Sequence, residues 1–110
     1  SRIIGNPDIG CIMVARANER IVGMVNILFT VSTALGDRVA IFEDMVVLPE
    51  ARSSGVGSRL LDSAIQTARM SGCKRITLLT DQTNVSAQRF YARHGFRMSA
   101  MIPLRLALGE

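Results

Sequence analysis

The sequence predicts an α+β domain with one mixed β-sheet and helices packed against it. Before Pro49 the apolar residues form strand-like runs rich in Val, Ile, Leu and Phe, whereas from Val56 onward they repeat at helical spacing. A further short apolar run follows the helix. Strand, helix and strand then form a βαβ unit, whose two strands should be parallel and whose crossover should be right-handed.

The first half of the chain predicts three consecutive antiparallel strands, at residues 9–17, 21–31 and 39–48. The turn at 17–20 joins the first two strands, and 33–38, with Gly36-Asp37, leads to the third. Pro49 ends the third strand because proline cannot donate to a ladder. Asn6-Pro7-Asp8 predicts a turn that closes a short opening segment, which we assign to no element.

The second half predicts two helices around one short strand. Ser71-Gly72 ends the first helix, residues 75–80 form the buried strand, and Thr83 or Asn84 caps a second helix that Gly95 ends after about His94. Residues 96–101 and 104–108 each have the composition of a strand. The first helix has its apolar residues at Val56, Leu60, Leu61, Ala64, Ile65 and Ala68.

Length and composition predict a single globular domain over residues 1–110, with 48% hydrophobic and 20% charged residues. The net charge of +4 comes from dispersed basic residues with only five aromatics, which disfavours nucleic acid and suits a phosphorylated small molecule. No apolar run is long enough to cross a membrane. Cys11 and Cys73 read as free thiols in a reducing cytoplasm, and a single histidine argues against a His-rich metal site.

The segment Arg52-Ser53-Ser54-Gly55-Val56-Gly57 joins a strand to a helix and is suited to binding a phosphate. The first N–H groups of a helix lack internal partners, and small residues allow an anion to approach them. A P-loop is excluded because no Gly-Lys-Ser/Thr follows. The dinucleotide-binding pattern lacks its third glycine, where Leu60 stands, and an ordinary tight turn stays an alternative.

Two blocks of sequence resemble the GNAT superfamily of N-acetyltransferases. The first is Val47-x-Pro49-x-x-Arg52-x-x-Gly55-x-Gly57, followed by a helix that begins Leu60-Leu61. The second is Asn84-x-x-Ala87-x-x-Phe90-Tyr91-x-x-x-Gly95-Phe96, and together the blocks extend the resemblance from residue 9 to the C-terminus. Phe42-Glu43-Asp44, Gly72-Cys73-Lys74 and Asp81 add a weaker similarity to the glucosamine-phosphate N-acetyltransferase branch.

The resemblance implies acetyl-CoA as co-substrate and no metal. The pyrophosphate would bind the turn amides, the pantetheine arm would lie along the preceding strand, and a bulge would open a slot for the thioester. The implied cofactor-binding residues are Met45, Val46 and Val47 on the strand, Arg52, Ser53, Ser54, Gly55, Val56, Gly57 and Ser58 at the turn, and Asn84 on the second helix.

The family's reaction is direct attack of an amine on the thioester carbonyl. Tyr91 matches the family tyrosine that approaches the cofactor sulfur, where a phenol can protonate the departing thiolate or stabilise it by hydrogen bonding. It also suits a core aromatic beside Phe90. Glu43 and Asp44 are candidate bases because acids are unusual in an apolar strand, and water could relay the proton. On a regular strand Glu43 would share a face with Met45 and Val47, which makes it the first choice over Asp44. The alternative to a catalytic role, for both acids, is a structural salt bridge or a charge on an edge strand.

The chain departs from the family pattern at its beginning. Members of the family place a strand and one or two helices before the hairpin that starts here, so we expect an N-terminally incomplete domain with an exposed sheet edge, which favours a homodimer. The sequence therefore predicts an acetyltransferase acting on a primary amine of a small molecule or peptide. A non-catalytic coenzyme A binding module and, third, a dinucleotide-binding domain stay open.

Overall fold

The computed structural model describes residues 2–4, 9–32 and 36–109, and the side chains of 2–4 and 44 lie outside that description. The turn predicted at Asn6–Asp8 also lies outside it. The chain forms two compact units, Ser1–Leu79 and Thr80–Glu110, which are described separately below. The prediction of a single domain over 1–110 stays a prediction.

The first unit contains a five-stranded sheet whose strands lie in chain order. Its strands are β1 (Arg2–Ile4), β2 (Gly10–Ala17), β3 (Arg20–Val31), β4 (Arg38–Val47) and β5 (Ile76–Leu78). Strands β1 to β4 are antiparallel, and β5 is parallel to β4. The predicted fold class is thus confirmed, and β1 is an additional strand in the segment that the sequence left without an element.

The β2–β3 hairpin turns at Asn18 and Glu19, which both have positive φ, 52° and 67°. Two-residue turns of this kind match the right-handed twist of paired strands. The sequence predicted the turn at this position, although Glu19 is an uncommon residue for left-handed backbone.

Helix α1 (Val56–Met70) packs on the face of the sheet formed by β2, β3 and β4. Leu60 and Leu61 are at most 1% exposed, so the predicted apolar stripe is the part of the helix that is buried. At the C-terminus, the Gly72 N–H donates to Arg69 O and the Cys73 N–H to Ala68 O, both at 3.0 Å. This Schellman pattern, with Gly72 at φ 83°, ends the helix where the sequence predicted.

The second unit contains helix α2 (Val85–Arg93). Asn84 is its N-cap, because its side chain accepts a hydrogen bond from the Ala87 N–H at 3.1 Å, and His94 is the C-cap. The strands predicted at 96–101 and 104–108 are wrong: over 96–109 the structure describes neither helix nor strand. Leu104, Leu106 and Leu108 are 81–91% exposed, so these apolar residues take part in neither strand pairing nor burial.

Within the described ranges, none of the helices has the length and apolar character needed to cross a membrane.

Candidate functional site

Strand β4 contains a bulge in its second half. Met24 pairs with Val46 and Asn26 with Glu43, so Asp44 and Met45 together oppose the single residue Val25 of β3. Such a bulge bends the strand and increases its local twist. It occurs at the strand where the family resemblance implied one, and the sequence alone gave no sign of it.

The bulge lies just beyond the end of the parallel pairing. Strand β5 pairs with β4 at Ala40, Ile41 and Phe42, and the ladder stops there. Among the described residues, β4 therefore has β3 on one edge and no strand partner on the other from Glu43 to Val47. An unpaired stretch of edge can accept an extended ligand through main-chain hydrogen bonds.

The register corrects the expectation for Glu43. Directly opposed residues of an antiparallel pair share a face, so Glu43, opposite Asn26, lies on the same face as Val46, opposite Met24. Val47 pairs with Gly23 and therefore lies on the other face. The predicted shared face of Glu43 and Val47 is wrong because the extra residue of the bulge shifts the alternation by one.

Glu43 is half-buried, with half-buried Asn26 directly across from it on β3. An amide in the middle of an apolar strand is a second polar residue at this level of the sheet, and the sequence reading did not single it out. Asn26 could have been found by the signal that drew attention to Glu43, a polar residue inside an apolar run. The side chain of Asp44 lies outside the described structure.

The chain leaves β4 through a compact turn. A 3-10 turn at Pro49–Ala51 is followed by Arg52, whose N–H donates to Pro49 O at 3.2 Å. Ser53 and Gly55 both have left-handed backbone, with φ of 69° and 86°. The Ser54 hydroxyl donates to Ala51 O, which ties the middle of the turn to its start.

Helix α1 starts from this turn without a side-chain cap. Gly55 is the N-cap residue, and the Arg59 N–H makes the hydrogen bond to Gly55 O at 3.0 Å that begins the helical ladder. The first turn contains no acidic residue. Amides at the start of a helix carry partial positive charge and favour an anion. The predicted phosphate seat, which is formed by the backbone amides of residues 53–58, therefore has the expected backbone arrangement.

Two arginines lie at the turn in different ways. The Arg52 Nε–H donates to Val47 O at 3.0 Å, so this side chain links the turn to the last residue of β4. The Arg59 guanidinium lies over Gly55: a Cβ at Gly55 would be 3.1 Å from Arg59 Nη1. The sequence motif does not include Arg59, although its position four residues after Gly55 places it one turn from the glycine.

Tyr91 in the second unit is half-buried on α2, and its ring packs against Phe90 and Phe96, with centroids 5.4 and 6.0 Å away. Burial raises the pKa of its phenol above the ordinary value. The phenol therefore stays protonated at neutral pH, the form that donates a proton. These ring contacts also fit the alternative, in which Tyr91 is a packing aromatic and not a catalytic residue.

Other residues of the second unit have local structural roles. The Asp81 carboxylate accepts hydrogen bonds from the Thr83 N–H at 2.9 Å and from its hydroxyl at 2.7 Å, and these bonds lower the pKa of Asp81. The side-chain oxygen of Asn84 caps α2, and its amide nitrogen takes no part in that bond. A cofactor contact of Asn84 stays a prediction.

The predicted cofactor residues of the first unit thus come together, because Met45–Val47 and the turn 52–58 are consecutive parts of one structure, joined by the Arg52–Val47 bond. Asn84 and Tyr91 belong to the second unit. Cys11 is buried and Cys73 half-buried, and both are free thiols. The part of the chain that the structure describes holds no group of three or more His, Cys, Asp or Glu placed to bind a metal ion.

Comparison with known proteins identifies the family. Residues 2–96 match the acetyltransferase (GNAT) family, and the chain belongs to it. The chain is 34% identical over 85 residues to a Bacillus subtilis protein named as the uncharacterized N-acetyltransferase YhfO, covering 77% of this chain and 57% of that protein. It is 32% identical over 85 residues to the aminoalkylphosphonate N-acetyltransferase of Salmonella typhimurium, covering 77% and 55%.

The fold agrees with solved structures of the same kind. A structure described as a probable acetyltransferase superposes with a TM-score of 0.83 and 30% identity, covering 92% of this chain and 69% of that one. The chain spans a little over half the length of the two curated relatives named above.

Proposed function

We propose that this protein transfers an acetyl group from acetyl-CoA to a primary amine. The observation that carries the proposal is the combination, within one unit, of a bulged strand with an unpaired edge and an uncapped helix N-terminus directly after it. The edge of β4 at Met45–Val47 would bind the amides of the pantetheine arm. The amides of residues 53–58 would bind the diphosphate.

The chemistry that this proposal requires is one nucleophilic substitution. The acceptor amine loses a proton and attacks the thioester carbonyl; the C–N bond forms, the C–S bond breaks, and the departing thiolate takes up a proton. We assign that last proton to the Tyr91 phenol, which its raised pKa keeps protonated. Glu43, half-buried at the bulge, accepts the proton from the amine directly or through water.

The acceptor is proposed as a primary amine on a small molecule or a peptide. The Salmonella relative is named as an enzyme that acetylates an aminoalkylphosphonate, which supports a small amine carrying an anionic group as the first acceptor to test. The net charge of +4 is compatible with anionic substrates.

A dinucleotide-binding function is not proposed. The position at which that pattern needs a glycine is Leu60, which is 1% exposed and packs in the core beneath the sheet. The family match leads to the same conclusion.

The test is release of free thiol from acetyl-CoA in the presence of a panel of amines, including 2-aminoethylphosphonate, simple alkylamines and short peptides. Amine-dependent thiol release supports the proposal. Binding of acetyl-CoA without release by any amine would instead support the non-catalytic coenzyme A module, and absence of binding would refute both.

A further inference from the structure

We infer that Arg59, rather than Arg52, supplies the side-chain cation that binds the diphosphate of the cofactor. This inference rests on the proposed coenzyme A site. It concerns a residue that neither the sequence motif nor the family resemblance singled out.

The first step is the position of the guanidinium. A methyl group at Gly55 would be 3.1 Å from Nη1 and 3.9 Å from Cζ of Arg59, so this exposed side chain bends back over the turn. Long side chains on a helix point towards the N-terminus, which brings residue 59 back over the residue four positions earlier. The fork of N–H donors therefore lies beside the uncapped start of α1.

The second step is charge. Among the side chains that the structure describes, the salt bridge of the first unit joins Arg20 to Glu50 and does not involve Arg59. The first turn of α1 has no acid either. A cation near a helix N-terminus opposes the helix dipole, so this arrangement is unfavourable by itself and becomes favourable when an anion lies between the amides and the guanidinium.

The third step is the different role of Arg52. Its Nε donates to Val47 O at 3.0 Å, which uses one edge of the guanidinium to join the turn to β4. Among the described contacts the Arg59 guanidinium makes no such bond, and a planar guanidinium can bind phosphate oxygens in a bidentate manner. Arg52 thus acts as a positioning residue for the turn, whereas Arg59 is the residue that would contact the ligand.

The experiment is titration calorimetry with coenzyme A, dephospho-coenzyme A and pantetheine on the full chain and on R59Q, with R69Q as control. Arg69 is an exposed arginine in the last turn of the same helix, so its replacement removes the same charge far from the site. We expect R59Q to weaken both nucleotide ligands by about tenfold or more. Pantetheine, which lacks the diphosphate, should bind R59Q and the unmodified chain equally, and R69Q should behave like the unmodified chain.

Each outcome supports or overturns the assignment. Equal affinity of R59Q and the unmodified chain for coenzyme A would overturn it. So would a loss that disappears with dephospho-coenzyme A, which would place the contact at the 3′-phosphate, or a loss of equal size for pantetheine. If the unmodified chain binds none of the three ligands, the proposed function itself fails, and the two failures are therefore distinguishable.

Discussion

Replacing Gly55 by alanine, together with a control variant, distinguishes the role of this glycine in phosphate binding from its role in the stability of the fold. Gly55 has φ of 86°, and an L-residue in left-handed backbone costs about 1–2 kcal/mol. The added Cβ would meet the Arg59 Nη1 at 3.1 Å, but this is the end of a flexible side chain and can move aside cheaply. The stability loss of G55A should therefore be about 1–2 kcal/mol, with Tm falling by about 4–8 °C for each kcal/mol.

Gly72 provides a matched control. It has φ of 83° at the other end of α1, and a Cβ there would meet nothing within 4 Å. G72A should therefore lose about the same stability as G55A, about 1–2 kcal/mol. Only G55A should lose coenzyme A affinity, because its methyl group occupies space beside the helix amides and displaces the Arg59 guanidinium from them.

The assay is urea unfolding for stability and calorimetry for coenzyme A binding, on both variants and the unmodified chain. Equal coenzyme A affinity of G55A and G72A would show that the turn is only a structural link between β4 and α1. That result would refute the reasoning from the glycine turn to a phosphate seat.

Three further predictions concern catalysis, packing and the surface. Y91F should lower turnover by about 10²-fold or more without changing acetyl-CoA affinity. It should also abolish the fall in rate at alkaline pH, where the phenol, whose pKa burial raises above its ordinary value, loses its proton; an unchanged pH–rate profile would remove Tyr91 from the reaction. L61A should lower the free energy of unfolding by about 2–5 kcal/mol in chemical denaturation, because Leu61 is 0% exposed. M70A, at an 80% exposed position, should stay within about 0.5 kcal/mol of the unmodified chain. Similar losses for the two variants would contradict the packing of Leu61 in the core. R20Q should cost less than about 1 kcal/mol, since Arg20 and Glu50 form an exposed ion pair at 2.6 Å, and a larger loss in thermal melts would mean that this pair holds the turn in place.

The parts of the fold governed by local chemistry could be predicted from the sequence. The apolar stripe from Val56 to Ala68 and the Ser71-Gly72 stop located α1 within about two residues, because side-chain periodicity and capping act over one or two turns. Asn84 likewise marked the start of α2 through its own side-chain oxygen.

Features that depend on pairing between distant segments could not be predicted. Strand β1 is only three residues long and exists because it pairs with Ile12–Val14, and the extra residue at 44–45 is visible only against the register of β3. That extra residue reversed the expected face of Glu43 relative to Val47. The segments at 96–101 and 104–108 show the opposite error, since a strand-like composition permits a strand but does not supply its partner.

The candidate site likewise combines features that the local sequence predicts with features that only the folded structure reveals. The glycine spacing and the acids in β4 were visible in the sequence, because both break local rules for a turn or an apolar strand. Arg59 was not, because the contact of its guanidinium with Gly55 is visible only in the folded turn. Asn26 carried the same signal as Glu43, a polar residue inside an apolar run, but its position opposite Glu43 is visible only in the strand register.

The central claim is that the unpaired edge of β4 and the glycine turn together bind acetyl-CoA. Thermal unfolding with and without a saturating concentration of acetyl-CoA tests it most directly, with NAD as the comparison ligand. At 100 times Kd a ligand that binds only the folded state adds about 2.7 kcal/mol, so acetyl-CoA should raise Tm by roughly 10 °C or more while NAD leaves it unchanged. A melting curve unaffected by acetyl-CoA, or one raised equally by NAD, would contradict the account.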